Sequence, residues 1–264
     1  MKPKILWVLI GILITIAVTV KPEMGAAANN PREVIFQVAT LGSLMQGVYD
    51  GEVSFGQLKA YGDTGIGTFN GLDGEMIFLD GMFYQIKADG KAYPVADGVQ
   101  TPFAAVTFLD KDQTVQLDAI QNFATLTKLI NSQLATSNIF YAIRIDADFD
   151  FVKVRSVPKQ EKPYPVLTEV TKNQPVFEYR NIKGTVIGLY CPPFTGGINL
   201  PGYHFHFISA DRNVGGHLLE CGILQGTAVL DATHELNMVL PGTPEFYRVD
   251  LNANREEDVK KAER

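Results

Sequence analysis

The clearest alternation of apolar and polar positions runs from Gly202 to Ile208, where aromatic residues alternate with histidines. Period-two alternation of this kind predicts a β-strand, because successive side chains of a strand point to opposite faces. His204 and His206 therefore share one face, and the aromatic residues face a core. A turn rich in Gly, Asn and Asp follows, and His217 begins the returning strand. The hairpin is predicted to bring His217 opposite the other two histidines.

Three of the four histidines of the chain thus converge on one point. Neutral imidazoles suit Zn²⁺ or another borderline divalent metal, and three protein ligands leave coordination positions open for catalysis. The plainer interpretation is three separate strand histidines, packed or solvated, with no metal between them. The fourth histidine, His234, precedes Glu235 but lacks the second histidine of H-E-x-x-H, so this metalloprotease motif is absent.

Patterns elsewhere predict a protein of mixed helices and strands. Apolar residues at helical spacing in residues 122–134 mark the clearest amphipathic helix. A tight Asp-Gly turn separates predicted strands at 75–79 and 82–87. Two further strands are predicted at 140–145 and 149–157, on either side of a short acidic segment, and residues 254–264 suit a charged C-terminal helix or tail.

Residues 158–165 are the best candidate for a boundary within the chain, because they carry three prolines and three charges without periodicity. We therefore expect a mixed sheet with helices in residues 29–157. An antiparallel β unit with the histidines and the C-terminal tail is expected in residues 158–264. A chain of 264 residues, 46% of them apolar, suits one large domain or two intimate ones.

The first 28 residues resemble a secretory signal peptide. Lys2 and Lys4 precede an apolar run of 16 residues from Ile5 to Val20, and small residues follow as far as Ala28. We expect cleavage near Ala28 and a secreted or extracytoplasmic protein. The run is short for a bilayer, which needs about 20 residues, so a retained membrane anchor is the second interpretation.

Charge and cysteine content narrow the classes of function. The formal net charge is −6 with no basic stripe, so nucleic acid is not an expected partner. The two cysteines, Cys191 and Cys221, could pair in an exported protein, but two cysteines do not form a disulfide framework in a chain of this size. The glycine-rich segment 62–70 lacks the G-K-[ST] ending of a phosphate-binding loop.

Two charged residues fall on apolar faces of predicted strands. They are Glu75 and Arg155. A buried charge needs a partner or a metal, and an arginine can hold a substrate carboxylate in a bidentate fork. Taken alone, each position is more simply explained by a structural ion pair or by a charge at the end of a strand. Arg144 is a competing candidate for the carboxylate, although Asp146 beside it offers a local partner.

Several segments, in one order, resemble the bacterial α-acetolactate decarboxylase family. Besides the histidine hairpin they are G-V-Y-D-G at 47–51, G-I-G-T-F-N at 65–70, L-D-G-E at 72–75, F-Y-A-I-R at 140–144, V-R-S-V at 154–157 and K-G-T-V-I-G at 183–188. The resemblance runs from about Val34 to the C-terminus. It implies an α/β (α+β) fold, in which a mixed sheet with helices continues into an open, mainly antiparallel β-barrel that carries the metal. It also implies a homodimer.

The resemblance further implies a carboxy-lyase that uses Zn²⁺ to convert a small-molecule substrate, (S)-2-acetolactate, to (R)-acetoin and CO₂. The family's metal ligands fall on His204, His206 and His217. Its catalytic residues fall on Glu75, Arg155 and Glu263, and the two glutamates are candidates for further metal ligands. Arg155 would bind the substrate carboxylate, and Thr68 matches a threonine that lines the family's pocket.

Two points of this resemblance have alternatives. The C-terminal glutamate of the family falls on Glu263, with Glu256 and Glu257 as alternatives. The competing class is a cupin-like metal-binding β-barrel that binds or acts on another small hydroxy or keto acid. The usual cupin glutamate after the second histidine is absent, since Ser209 and Ala210 stand there.

Overall fold

Two β-sheets carry most of the fold, which is described for residues 31–252 and 256–263 of a computed structural model. One is a seven-stranded mixed sheet, the other is a five-stranded antiparallel sheet, and a two-stranded pair accompanies them. The predicted signal peptide, residues 1–28, lies outside the described residues. Within the described ranges, no helix is long and apolar enough to cross a membrane.

Fourteen strands and six α-helices occur in the described residues. The strands are β1 (Val34–Val38), β2 (Val53–Ser54), β3 (Thr64–Thr68), β4 (Glu75–Leu79), β5 (Met82–Ile86), β6 (Ala92–Pro94), β7 (Gln100–Thr101), β8 (Ala104–Thr107), β9 (Gln113–Ile120), β10 (Phe140–Arg155), β11 (Val176–Cys191), β12 (Gly202–Ser209), β13 (Gly215–Thr233) and β14 (Glu235–Val239). The helices are α1 (Leu41–Met45), α2 (Phe55–Leu58), α3 (Phe123–Asn131), α4 (Leu167–Val170), α5 (Pro244–Arg248) and α6 (Glu256–Glu263). The class is mixed α and β, dominated by sheets, as expected.

The first sheet has the strand order β14-β1-β8-β3-β4-β5-β6. Only the β1–β14 pairing is parallel, and the others are antiparallel. After β1, Thr40 caps α1, because its side chain accepts a hydrogen bond from the Ser43 N–H at 3.1 Å. This cap turns the chain so that α1 lies beside the histidine site, where its leucines line a cavity.

The second sheet has the order β10-β11-β12-β13-β9, and β10 also pairs with β13. This extra pairing curls the sheet around its own core. Aromatic rings from the hairpin fill that core, and Phe207 packs edge-on against Phe149 with ring centroids 5.3 Å apart. The predicted amphipathic helix is α3, whose Leu126 and Ile130 are completely buried against the same core.

The two strands predicted at 140–145 and 149–157 form one continuous strand, β10, of 16 residues. The prediction of two separate strands is therefore wrong. The acidic residues between them do not make a turn. Asp146 accepts a hydrogen bond from the Thr185 hydroxyl at 2.7 Å, and Asp148 forms an ion pair with Lys183. Both partners lie on β11, so the carboxylates are satisfied across the sheet and the strand continues through them.

The predicted boundary at residue 158 does not separate the two sheets. Strands β9 and β10 precede it but belong to the sheet of the histidines. Strand β14 follows it, yet pairs with β1 of the first sheet in parallel rather than joining an antiparallel unit. Sheet membership depends on contacts between distant parts of the chain, and local composition carries no information about those contacts.

Cys191 and Cys221 are buried free thiols in two different apolar clusters. Burial raises the pKa of Cys221 to about 12 and also raises the pKa of Cys191. Because the thiolate is the reactive form, neither cysteine is an available nucleophile at neutral pH.

Asp231, near the end of β13, is a buried carboxyl. Its Oδ2 accepts the Asp110 N–H at 3.0 Å, and its Oδ1 has no hydrogen-bond partner within the described part of the chain. Burial, aided by the nearby acids Asp112 and Glu33, raises the pKa of Asp231 to about 7. The stability that protonation of Asp231 contributes is therefore fully present below the unfolded pKa of about 3.9. It is lost as the pH rises through 7.

We predict that Asp231→Asn stabilises the protein at pH 8 by about 1–3 kcal/mol, because the amide accepts the same N–H without burying a charge. The gain should shrink as the pH falls toward 4, where the native carboxyl is already neutral. Urea unfolding at pH 4, 6 and 8 measures this. Asp118→Asn at an exposed site of β9 is the matched control and should change little. An equal gain at all three pH values would contradict the assigned cause.

Candidate metal centre

The hairpin of β12 and β13 brings the three predicted histidines together. His204 and His206 point to the same side of β12, and His217 is the register partner of His206 on β13. The ring centroids lie 4.9 to 5.3 Å apart, and one ring nitrogen from each histidine lies within 4.8 Å of the others. All three side chains are buried. The predicted convergence is confirmed.

Backbone carbonyls fix the tautomers of two of these rings. His206 Nδ1 lies 2.8 Å from the Met76 carbonyl oxygen, and His217 Nε2 lies 3.2 Å from the Glu263 carbonyl oxygen. A carbonyl only accepts, so each of these nitrogens carries the proton and donates it. The opposite nitrogens, His206 Nε2 and His217 Nδ1, keep their lone pairs. A ligand histidine commonly has its second nitrogen held in this way.

The freed nitrogens have no hydrogen-bond partner among the residues described. This holds for His206 Nε2 and His217 Nδ1, and also for His204 Nδ1, which is buried as well. Burial, reinforced by the charge of Arg155, lowers the pKa of His204 to about 3. Burial likewise lowers the pKa values of His206 and His217 well below the ordinary range. The three rings are therefore neutral, which is the form that binds a metal.

Arg155, the last residue of β10, lies between two buried carboxyls. One guanidinium nitrogen is 3.1 Å from Glu75 Oε1, and another is 3.2 Å from Glu263 Oε2. Glu75 Oε2 lies 3.6 Å from His206 Nε2, and Glu263 Oε2 lies 3.6 Å from His217 Nδ1. Each carboxyl therefore faces the arginine on one side and a histidine on the other.

These two carboxyls share a single cation. Burial raises the pKa of Glu75 to about 7; Arg155 opposes this shift, and the neighbouring Glu263 adds to it. Burial also raises the pKa of Glu263 against the pull of Arg155. Burial thus shifts both carboxyls toward the protonated form, which is the form that a general acid needs.

A small cavity of about 30 Å³ borders the histidines, Glu75, Arg155 and Glu263. Its remaining wall is mainly apolar and comes from several elements. It comprises Leu41, Leu44, Gly67, Thr68, Leu72, Phe103, Val157 and Leu167. The Thr68 hydroxyl donates to the Gly74 carbonyl at 2.7 Å, so Thr68 also supports the turn that precedes Glu75. The larger open groove on the second sheet shares none of these residues.

Two of the predicted alternatives, Arg144 and Glu257, do not line the cavity. Arg144 pairs with Asp146 and Asp80 outside the cavity, whereas Arg155 lies within it. In the C-terminal helix, Glu257 is exposed and Glu263 is buried beside the histidines. Nothing in the sequence marks the two carbonyls that orient His206 and His217. The leucines of α1 were also not predicted to line the site.

The chain is similar to known proteins over most of its length. A sequence profile described as alpha-acetolactate decarboxylase matches residues 35–253. The alpha-acetolactate decarboxylase of Methanosarcina mazei is 46% identical over 237 residues, covering 90% of this chain and 82% of the relative. The enzyme of the same name from Bacillus subtilis is 43% identical over 224 residues, covering 85% and 88%.

A solved structure shares the fold as well. The crystal structure of alpha-acetolactate decarboxylase from Bacillus subtilis strain 168 aligns with a TM-score of 0.85 at 42% identity. The alignment covers 87% of this chain and 99% of that one. Sequence and structure together place this chain in the alpha-acetolactate decarboxylase family.

Proposed function

We propose that this protein decarboxylates (S)-2-acetolactate to (R)-acetoin and CO₂ with Zn²⁺ bound by His204, His206 and His217. The observation that carries the proposal is the convergence of three neutral, buried imidazoles beside an arginine flanked by two carboxyls. A cupin-like binder of another small acid is not favoured, because the fold aligns with that of a decarboxylase over 87% of this chain. The pairing of β10 with both β11 and β13 supports the open β-barrel expected around the site.

The donor set fits zinc. Three imidazole nitrogens suit a borderline divalent ion, and the lone pairs of His206 Nε2 and His217 Nδ1 are buried without a hydrogen-bond partner among the described residues. Glu75 and Glu263 lie close enough to these nitrogens to serve as further ligands. When bound, zinc supplies Lewis-acid polarisation of the reacting ketone.

Arg155 binds the carboxylate of the substrate. It orients the carbon–carbon bond that breaks so that this bond lies perpendicular to the plane of the adjacent carbonyl. The bonding electrons then enter the ketone, CO₂ leaves, and an enediolate remains. Contacts that hold the carboxylate too firmly in the ground state would slow this step. The pairing of Arg155 with Glu75 and Glu263 limits that hold.

A carboxyl of Glu263 or Glu75 then delivers a proton to one carbon of the enediolate. Whichever carboxyl donates holds a fixed position beside the guanidinium, so delivery from that one group occurs on one face and gives one enantiomer. The apolar wall of the cavity excludes bulk water, which would otherwise protonate either face.

Metal removal tests the first part of this proposal. Treatment with a chelator should abolish acetoin formation, and added Zn²⁺ should restore it. His206→Ala and His217→Ala should lose stoichiometric zinc, measured by elemental analysis. His234→Ala is the control, because His234 is exposed and lies outside the site. Full activity in zinc-free protein would contradict the proposal.

Substitution of the C-terminal glutamate tests proton delivery. We expect Glu263→Gln to lower kcat by about 10²- to 10⁴-fold while zinc content stays close to that of the wild type. Glu257→Gln, on the exposed side of the same helix, should leave both unchanged. Wild-type turnover in Glu263→Gln would exclude it as the donor, and Glu75→Gln would then be expected to show the loss.

We further propose that the protein is exported after cleavage near Ala28. We also propose that it forms a homodimer. The end strands β14 and β6 of the first sheet each have one side without a strand partner in the described chain, and such edges favour association. Sedimentation of the mature protein should give twice the mass of one chain. A monomer at micromolar concentration would contradict this part of the proposal.

A further inference from the structure

Ser156 links the two sheets beside the site without lining the cavity. It follows Arg155 directly and is completely buried. Its hydroxyl donates to the Ile86 carbonyl oxygen at 2.8 Å. Ile86 is the last residue of β5 and the register partner of Glu75 on β4. One hydrogen bond therefore ties the end of β10, which carries Arg155, to the strand pair that carries Glu75.

The Ile86 carbonyl has little freedom to move. Gly74 approaches it so closely that a Cβ there would lie 2.2 Å from the carbonyl oxygen, and the φ of Gly74 is +92°. The side chain of Ile86 is also confined, since a Cβ on Gly215 would lie 3.0 Å from its Cδ1. With Ile86 held between these two backbone segments, the Ser156 hydrogen bond sets where β10 ends relative to β4.

A second bond between the sheets lies on the other side of Glu75. The His206 ring donates to the carbonyl of Met76, the residue that follows Glu75. That bond belongs to a predicted metal ligand, so its removal would disturb the metal directly. The Ser156 bond is different, because Ser156 does not line the cavity and its hydroxyl donates to a backbone carbonyl rather than to a histidine. Its effect on Glu75 can therefore be tested separately from metal binding.

We propose that Ser156 is a positioning residue for the decarboxylation. Its hydroxyl fixes the separation between Arg155 and Glu75, and thereby sets how the guanidinium is divided between that carboxyl and the substrate carboxylate. The inference rests on the proposed function, in which Arg155 and Glu75 act in turnover. Misplacement of a reacting group by about 1 Å can lower the rate about 10²-fold, so loss of this bond affects catalysis as well as stability.

Ser156→Ala should lower kcat by about 10- to 100-fold while zinc content stays at the wild-type level. Thr107→Val is the matched control: Thr107 is equally buried, and its hydroxyl donates to the Val34 carbonyl at 2.9 Å. Thr107→Val should lower the Tm by a similar amount and leave kcat unchanged. Wild-type kcat in folded, zinc-loaded Ser156→Ala would overturn the proposal. If Ser156→Ala does not fold, Ser156→Cys carries the same test with a nearly isosteric side chain.

A double variant shows whether Ser156 acts through Glu75. In the Glu75→Gln background, Ser156→Ala should change kcat by less than about twofold, since coupled residues are not additive. Equal losses in both backgrounds would overturn the proposal. So would a crystal structure of Ser156→Ala that retains the 3.1 Å contact between Arg155 and Glu75. Failure of the proposed function is distinguishable, because the wild-type protein would then form no acetoin.

Discussion

The buried ion triad of Glu75, Arg155 and Glu263 is the interaction on which the rest of the site depends. A guanidinium is costly to bury unless charged partners surround it. Its partners come from β4 of the first sheet and from α6 at the end of the chain. An isolated helix as short as α6 is not stable in water. It is held by the contact of Glu263 with Arg155 and by two apolar residues, Val259 and Ala262, in the core beside α4.

The elements that carry the triad also orient the histidines. The rings all lie on the second sheet, yet the orientations of His206 and His217 depend on a carbonyl from β4 and a carbonyl from α6. Docking of these elements therefore aligns the histidine nitrogens at the same time as it places the two carboxyls. Mutation of a triad residue would therefore change both the stability of the fold and the geometry of the site, and these two effects would be difficult to separate. Variants of the residues around it are more informative.

The predictable parts of the site were those encoded by local periodicity. Alternation in β12 and a polar turn sufficed to place His204, His206 and His217 together, because both features act over a few residues. The position of Glu263 came from family resemblance, since no local pattern can show which distant helix reaches the cavity. The strand β3 was missed because glycines are poor strand formers. Here they are required, since a Cβ on Gly67 would lie 2.4 Å from the Phe103 carbonyl oxygen.

The small volume of the cavity bears on the rate of turnover. A space of about 30 Å³ holds a water molecule or two, which is less than a branched keto acid occupies. We expect substrate entry to require the leucine-bearing helices α1 and α4 to move away from the histidine hairpin and to close again. Such gating motions often limit turnover more than bond breaking does. The turnover rate would then depend on solvent viscosity and temperature, because both affect how readily the apolar wall of the cavity opens.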